Sequence, residues 1–143
     1  MKRRAAAEWR GDLKAGKGTL TTDSGVLNQT PYSFSTRFES AKGTNPEELV
    51  AAAHAGCFTM ALSAELAKAG LTADSLRTTA EVSLEKNGGG WSVTESHLDL
   101  VARVPGASEE AFRTAAEAAE KNCPISKLLK AKITMNARLE ASS

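Results

Sequence analysis

The chain has 143 residues, of which 41% are hydrophobic and 24% charged, as is ordinary for a single water-soluble domain spanning residues 1–143. Its 18 basic and 17 acidic residues leave a formal charge of +1, which argues against a nucleic-acid or polyphosphate surface, because such a surface needs clustered lysine and arginine. The N-terminal MKRRAAAEWRGD has no uninterrupted apolar run, so we predict no signal peptide and a cytoplasmic location.

The first forty residues predict short β-strands. AAEWRGDL alternates weakly, GTLTTD is β-prone, and SGVLNQTPYS carries turn residues. The run YSFSTRFE alternates aromatic or β-branched residues with polar ones, which predicts a further half-buried strand. Arg37 is then expected on the strand face opposite Phe34 and Phe38.

A long apolar helix is predicted next. Asn45 can cap it, Pro46 suits its first position, and we expect it to run to about Lys68, with Gly70 as its stop. The stretch 49–64 carries no acidic or basic residue except a histidine and falls short of the roughly 20 residues that span a bilayer, which favours a core helix. Because the helix is apolar nearly all round, a second subunit is its simplest cover.

The second half predicts a hairpin, two helices and a strand. LRTTAEVSLEKN and WSVTESHLDLVARV flank a glycine-rich turn. Ser108 can cap a helix to about Asn122, Pro124 starts a short helix to Lys130, and KITMNARLEA closes as a strand. This order predicts an α+β fold, with antiparallel or mixed sheets around a long central apolar helix.

Two cysteines stand out as candidates for chemistry. In a reducing compartment a pair of thiols favours redox chemistry over a structural disulfide. Cys57 lies in the middle of the apolar helix, three residues after His54, and needs a nearby cation to become a thiolate, for which Arg37 is the best candidate. Cys123 precedes Pro124, where a helix N-terminus lowers thiol pKa values. From the residues alone, the two thiols are comparable as nucleophiles.

The acidic pair at the helix start has two interpretations. Glu47 and Glu48 can simply complement the helix dipole. Glu48 and Cys57 lie about 13 Å apart along one helix and on opposite faces, so a shared site would take them from different protomers. The two cysteines and two histidines lack the paired spacing of a zinc site, and we predict neither metal nor cofactor.

Three segments together resemble a known family. GTNPEELVAAAHAGCFTMAL, the upstream RGDLKAGKGTLTTDSGVLNQTPYSFSTRFE and the downstream NCPISKLL are similar to the osmotically inducible protein C (OsmC) family of thiol peroxidases. The resemblance covers essentially the whole chain. The HAGCF and SGVLNQTPY segments are more similar to the OsmC branch than to the organic hydroperoxide resistance (Ohr) branch.

The resemblance implies an OsmC-like fold in an intertwined homodimer, with an active site at each subunit interface. It implies Cys57 as the peroxidatic thiol and Cys123 as the resolving thiol that forms a disulfide with it. Arg37 would hold Cys57 as a thiolate, and Glu48 would pair with Arg37. The implied substrates are an organic hydroperoxide and a dithiol reductant of the dihydrolipoyl type, with no nucleic acid or membrane as a partner.

Two other functions stay open at this point. The chain could be a non-enzymatic protein of the same fold that binds a small ligand and carries a regulatory disulfide. It could also be a thiol-dependent hydrolase or transferase in which His54 is the base for Cys57.

Overall fold

The computed structural model describes residues 1–141, and the chain divides into two compact units, Met1–Leu49 and the residues from Val50 onward. Six strands and four helices are described, which confirms the α+β prediction. In chain order they are β1 (Ala5–Arg10), β2 (Lys17–Thr22), β3 (Thr30–Tyr32), α1 (Phe34–Phe38), α2 (Pro46–Lys68), β4 (Ser75–Asn87), β5 (Gly90–Arg103), α3 (Glu109–Asn122), α4 (Pro124–Leu128) and β6 (Lys132–Leu139).

The first unit holds an antiparallel sheet in the order β1-β2-β3. The rings of Trp9 and Tyr32 meet edge to face, 5.5 Å apart, above the backbone of Gly18. A Cβ at Gly18 would lie 2.5 Å from the Trp9 ring and 2.6 Å from the Tyr32 ring, so only glycine lets both rings pack there.

The strand predicted over YSFSTRFE is wrong beyond Tyr32. The chain turns at Ser33 into the short helix α1. The Ser33 hydroxyl accepts a hydrogen bond from the Thr36 backbone N–H, and the Thr36 hydroxyl accepts one from the Ser33 N–H. This capping box starts a helix where the alternating pattern suggested a strand. The aromatic rings of Phe34 and Phe38 now pack together, 5.0 Å apart, and the Arg37 guanidinium lies over the Phe38 ring.

Helix α2 begins and ends where the sequence predicts. The Asn45 side chain accepts from the Glu48 backbone N–H at 2.8 Å, and Gly70 follows the helix with φ of 75°. At 23 residues, α2 as a whole is long and apolar enough to cross a bilayer by length and composition alone, although its uncharged stretch 49–64 is shorter than that. Core helices pass the same test, and one face of α2 is buried, at His54, Phe58, Leu62 and Leu66.

The second unit contains a mixed sheet in the order β4-β5-β6. The predicted hairpin joins β4 and β5, and its turn glycines, Gly88 and Gly89, both have positive φ. Strand β6 pairs with β5 in parallel. The core of this unit is one apolar cluster contributed by α2, β5, α3 and their flanks: Phe58, Leu62, Leu66, Leu98, Leu100, Ala102, Val104, Phe112, Ala115, Ala116, Ala119 and Cys123.

Candidate active site

The two cysteines meet within the second unit. Both are free thiols, and the Cys57 thiol is hydrogen-bonded to the sulfur of Cys123. Cys57 is half-buried at the edge of the core, whereas Cys123 is completely buried. Cys123 ends α3 with its backbone N–H, which donates to the Ala119 carbonyl, and it is also the N-cap residue of α4. The fold therefore places one accessible and one inaccessible thiol side by side.

The environment of Cys57 favours its neutral form. Burial raises the pKa of this thiol above its ordinary value of 9.0, and the hydrogen bond with Cys123 raises the pKa further. The backbone N–H of Ile125, in the first turn of α4, donates to the Cys57 sulfur and lowers the pKa in part. Because only the thiolate is a strong nucleophile, this thiol needs an additional positive charge to react quickly at neutral pH.

His54 lies one helical turn before Cys57 and is completely buried. Its Nδ1 is 2.6 Å from the Ser96 hydroxyl of β5, and its Nε2 is 2.8 Å from the Ser126 hydroxyl of α4. Burial lowers the pKa of His54 below its ordinary 6.5, so the ring is neutral. With both nitrogens engaged by serines, the imidazole is not placed to take the proton of Cys57. This geometry argues against a hydrolase that uses His54 as its base.

Arg37 forms its ion pair with Glu47, and the pairing expected with Glu48 is wrong. Nε and Nη2 of Arg37 donate to the two carboxylate oxygens of Glu47, each at 2.9 Å. The Glu47 carboxylate, through these bonds, raises the pKa of Arg37 above its ordinary value, partly opposed by burial. The side chain of Glu47 is only 14% exposed, which keeps the pair partly shielded from water.

Glu48 lies on an exposed part of the first turn of α2 and accepts a hydrogen bond from the Thr44 hydroxyl at 2.8 Å. Asn45 determines which acid faces α1, because its side chain both caps α2 and donates to the Thr36 carbonyl at 2.9 Å. These two bonds fix the start of α2 beside α1. The choice of Glu47 over Glu48 follows from that contact and not from residue type.

Sequence inspection missed three contributors to the site: the Ser96 hydroxyl, the Ser126 hydroxyl and the Ile125 N–H. Serine is common, and a backbone N–H carries no residue signal. The spacing of Cys123 and Ser126, equal to that of His54 and Cys57, is the one signal that could have suggested Ser126. In residues 1–141, no group of histidine, cysteine and acidic side chains is arranged to hold a metal ion.

Comparisons with known proteins show the family of this chain. Residues 39–138 match the family model of the OsmC-like proteins. The chain belongs to the OsmC-like family. It is 50% identical to peroxiredoxin OsmC of Escherichia coli (strain K12) over 139 residues, which cover 97% of each chain. It is 30% identical to the organic hydroperoxide resistance protein OhrB of Bacillus subtilis (strain 168) over 125 residues, which cover 86% of this chain and 89% of OhrB.

Solved structures confirm the fold. An OsmC-like protein of unknown function from Vibrio cholerae superposes with a TM-score of 0.77 at 21% identity, covering 96% of this chain and 99% of that one. The family model and the two relatives confirm the family expected from the sequence. The higher identity to OsmC than to OhrB also confirms the closer similarity to the OsmC branch.

The buried His54 predicts a loss of stability in acid. In the unfolded chain the imidazole binds a proton near pH 6.5, whereas in the folded protein it binds one only at lower pH. The stability that the neutral His54 contributes is therefore complete above pH 6.5, and it is lost as the pH falls towards the lowered pKa of the folded state. We expect His54→Gln to reduce the decline in the free energy of unfolding between pH 7.5 and pH 5.5, about one unit either side of the ordinary histidine pKa of 6.5. Urea denaturation at each pH measures it.

Thr78→Val is the control, because it removes a 2.8 Å hydrogen bond to Thr59 of α2 without adding or removing a titratable group. It should keep the wild-type pH dependence. Burial raises the pKa of Glu120, which has the opposite effect on stability in acid, but this cancels when variants are compared. Equal acid sensitivity in wild type and His54→Gln would contradict the prediction.

Proposed function

We propose that the chain is a cysteine-based peroxidase that reduces organic hydroperoxides, and hydrogen peroxide more weakly, in defence against oxidative and osmotic stress. The hydrogen-bonded pair of free thiols, Cys57 half-buried and Cys123 fully buried, carries this proposal. The names of the relatives, a peroxiredoxin and an organic hydroperoxide resistance protein, indicate a thiol-dependent peroxidase, the enzyme class that the sequence predicts.

The reaction proceeds in two chemical steps. The Cys57 thiolate attacks one oxygen of the peroxide, the O–O bond breaks, the alkoxide leaves and is protonated, and Cys57 becomes a sulfenic acid. The Cys123 thiolate then attacks the Cys57 sulfur, hydroxide leaves and is protonated to water, and a disulfide forms. An external dithiol, of the dihydrolipoyl type, reduces this disulfide by thiol–disulfide exchange. One peroxide is thus consumed for each pair of thiols oxidised.

The roles of the two thiols follow from their burial. A peroxide can reach only a sulfur that solvent reaches, which assigns the attack to the half-buried Cys57. The buried Cys123 is protected from peroxide and is hydrogen-bonded to the sulfur with which it must condense. The apolar residues around Cys57 favour an organic peroxide over hydrogen peroxide.

Arg37 is proposed as the cation that stabilises the Cys57 thiolate and the negative charge that develops on the peroxide oxygens. A guanidinium carries five N–H donors, and the bidentate pair with Glu47 uses those on Nε and Nη2. The remaining N–H groups of Arg37 are therefore available to donate to an anion such as a thiolate. Glu47 orients the guanidinium, which is the role that the sequence had suggested for Glu48.

Peroxide consumption by the reduced protein tests this function. Mixing with cumene hydroperoxide in a stopped-flow instrument should consume one peroxide per chain rapidly, and intact mass should fall by about two hydrogen atoms as the disulfide forms. Cys57→Ser should abolish the reaction. Cys123→Ser should still consume peroxide but gain one oxygen and then a second on Cys57. No fast reaction with both thiols intact would favour a ligand-binding protein instead.

The Arg37–Glu47 pair provides a second test. We expect Arg37→Ala to slow peroxide attack about 100-fold or more, because it removes the cation that stabilises the thiolate and the transition state. Glu47→Gln should slow it about tenfold, as loss of an orienting partner does. Glu48→Gln is the matched control and should lose less activity than Glu47→Gln. A larger loss in Glu48→Gln would mean that the observed pair does not serve the reaction.

We also propose that the protein is a cytoplasmic homodimer. An apolar stripe lies exposed along α2, formed mainly by small residues that allow close helix approach: Ala53, Gly56, Met60, Ala64 and Ala67. A second copy of this helix is the occupant whose surface matches it in shape and polarity. The cytoplasm keeps both thiols reduced between catalytic cycles.

Sedimentation velocity tests the dimer. Met60 is 78% exposed, so Met60→Lys costs little in an isolated chain but places a charge in the proposed interface. We expect it to shift the protein from dimer to monomer. Val26→Lys, at a residue that is 84% exposed in a turn, is the control and should remain dimeric. A monomeric wild type at micromolar concentration would overturn the proposal.

A further inference from the structure

Two contacts of the same spacing join α2 to the start of α4. On α2, His54 and Cys57 are three residues apart and share a face. At the start of α4, Cys123 and Ser126 are also three residues apart. His54 is hydrogen-bonded to Ser126, and the free thiol of Cys57 is hydrogen-bonded to the sulfur of Cys123. We call this arrangement the two-rung contact.

Helix α4 is too short to be stable without tertiary contacts. It has five residues, Pro124–Leu128, and helices this short are unstable without tertiary contacts. Its N-cap residue, Cys123, provides no side-chain capping bond and is also the C-cap of α3, so a single residue joins the two helices. The orientation of α4 therefore depends on the tertiary contacts of its first turn.

The hydrogen bond between His54 and Ser126 is buried and has good geometry. His54 is completely buried, Ser126 is 7% exposed, and the Nε2–Oγ distance is 2.8 Å. Ser96, also completely buried, holds the opposite ring nitrogen at 2.6 Å and so fixes the ring orientation from β5. In residues 1–141, no buried side-chain nitrogen or oxygen lacks a hydrogen-bond partner, so breaking this bond would leave a buried polar atom unsatisfied.

We propose that His54 is a positioning residue for the step that joins Cys57 to Cys123, and that it acts through its hydrogen bond to Ser126. The proposal rests on the proposed function for its biological meaning, but disulfide formation can be measured without peroxide. This hydrogen bond holds the first turn of α4 against α2. It thereby keeps the Cys123 sulfur and the Ile125 N–H within hydrogen-bonding distance of the Cys57 sulfur. His54 itself exchanges no proton and contacts no substrate.

Oxidised glutathione separates the two halves of disulfide formation. The Cys57 thiolate attacks one sulfur of glutathione disulfide, forming a mixed disulfide and releasing one glutathione thiolate. The Cys123 thiolate then attacks the Cys57 sulfur, forming the intramolecular disulfide and releasing the second glutathione. The lifetime of the mixed disulfide, followed by acid quench and intact mass, reports the alignment of Cys123 with Cys57.

Ser126→Ala should lengthen the lifetime of the mixed disulfide about tenfold, since small displacements of reacting groups carry rate costs of this order or more. Ser126→Thr restores a hydroxyl and should recover most of the wild-type rate. Thr78→Val is the matched control: it removes a 2.8 Å hydroxyl bond between β4 and Thr59 of α2 without touching α4. It should leave the lifetime unchanged.

A second variant keeps the test decisive if Ser126→Ala folds poorly by circular dichroism. His54→Gln breaks the same bond from the α2 side and should also lengthen the lifetime. If His54 acts through Ser126, the double variant is no slower than the slower single variant. Unchanged lifetimes in folded Ser126→Ala and His54→Gln would overturn the proposal, as would an equal effect in Thr78→Val.

The outcome is independent of the peroxidase proposal. A wild type that ignores cumene hydroperoxide but resolves the glutathione adduct in a Ser126-dependent way would refute the peroxidase and support the positioning role. If the wild type reduces peroxide rapidly but the lifetime of the mixed disulfide is unchanged in Ser126→Ala, the peroxidase is supported and the positioning role is refuted.

Discussion

The contact between one face of α2 and the first turn of α4 is the constraint on which the thiol pair depends. A five-residue helix has too few internal hydrogen bonds to persist alone, so its place is determined by the groups that it meets. Those groups include Cys57 and His54, one turn apart on α2. Because Cys123 is the joint between α3 and α4, holding α4 also holds the second sulfur.

The same burial that organises the pair works against its reactivity. A thiol at the edge of an apolar cluster loses the solvation of its anion, and the pKa of Cys57 rises accordingly. The Ile125 N–H offsets only part of that cost. A protein that uses such a thiol as a nucleophile needs a permanent cation, and arginine suits that role because it stays charged at any relevant pH. The bidentate Glu47 holds Arg37 in one orientation.

Much of the site could be predicted from residue types, and the remainder could not. Cys57, Cys123 and Arg37 are rare or distinctive residues in a recognisable context, so sequence and resemblance were sufficient to single them out. Two adjacent glutamates at a helix start are chemically equivalent, and they differ only by about 100° of rotation around the helix axis. Nothing local chooses between them, because the choice depends on where α1 lies.

The sequence by itself determined the long helix, the hairpin and the α3 boundaries, because caps, glycines and hydrophobic period act over a few residues and agree with one another there. It did not determine α1, where five residues alternate like a strand while the Ser33–Thr36 capping box starts a helix. Only the tertiary structure brought His54 to Ser126 and Cys57 to Cys123, pairs separated by 72 residues in the first case. Such contacts depend on how whole elements pack, and no short-range pattern in the chain encodes them.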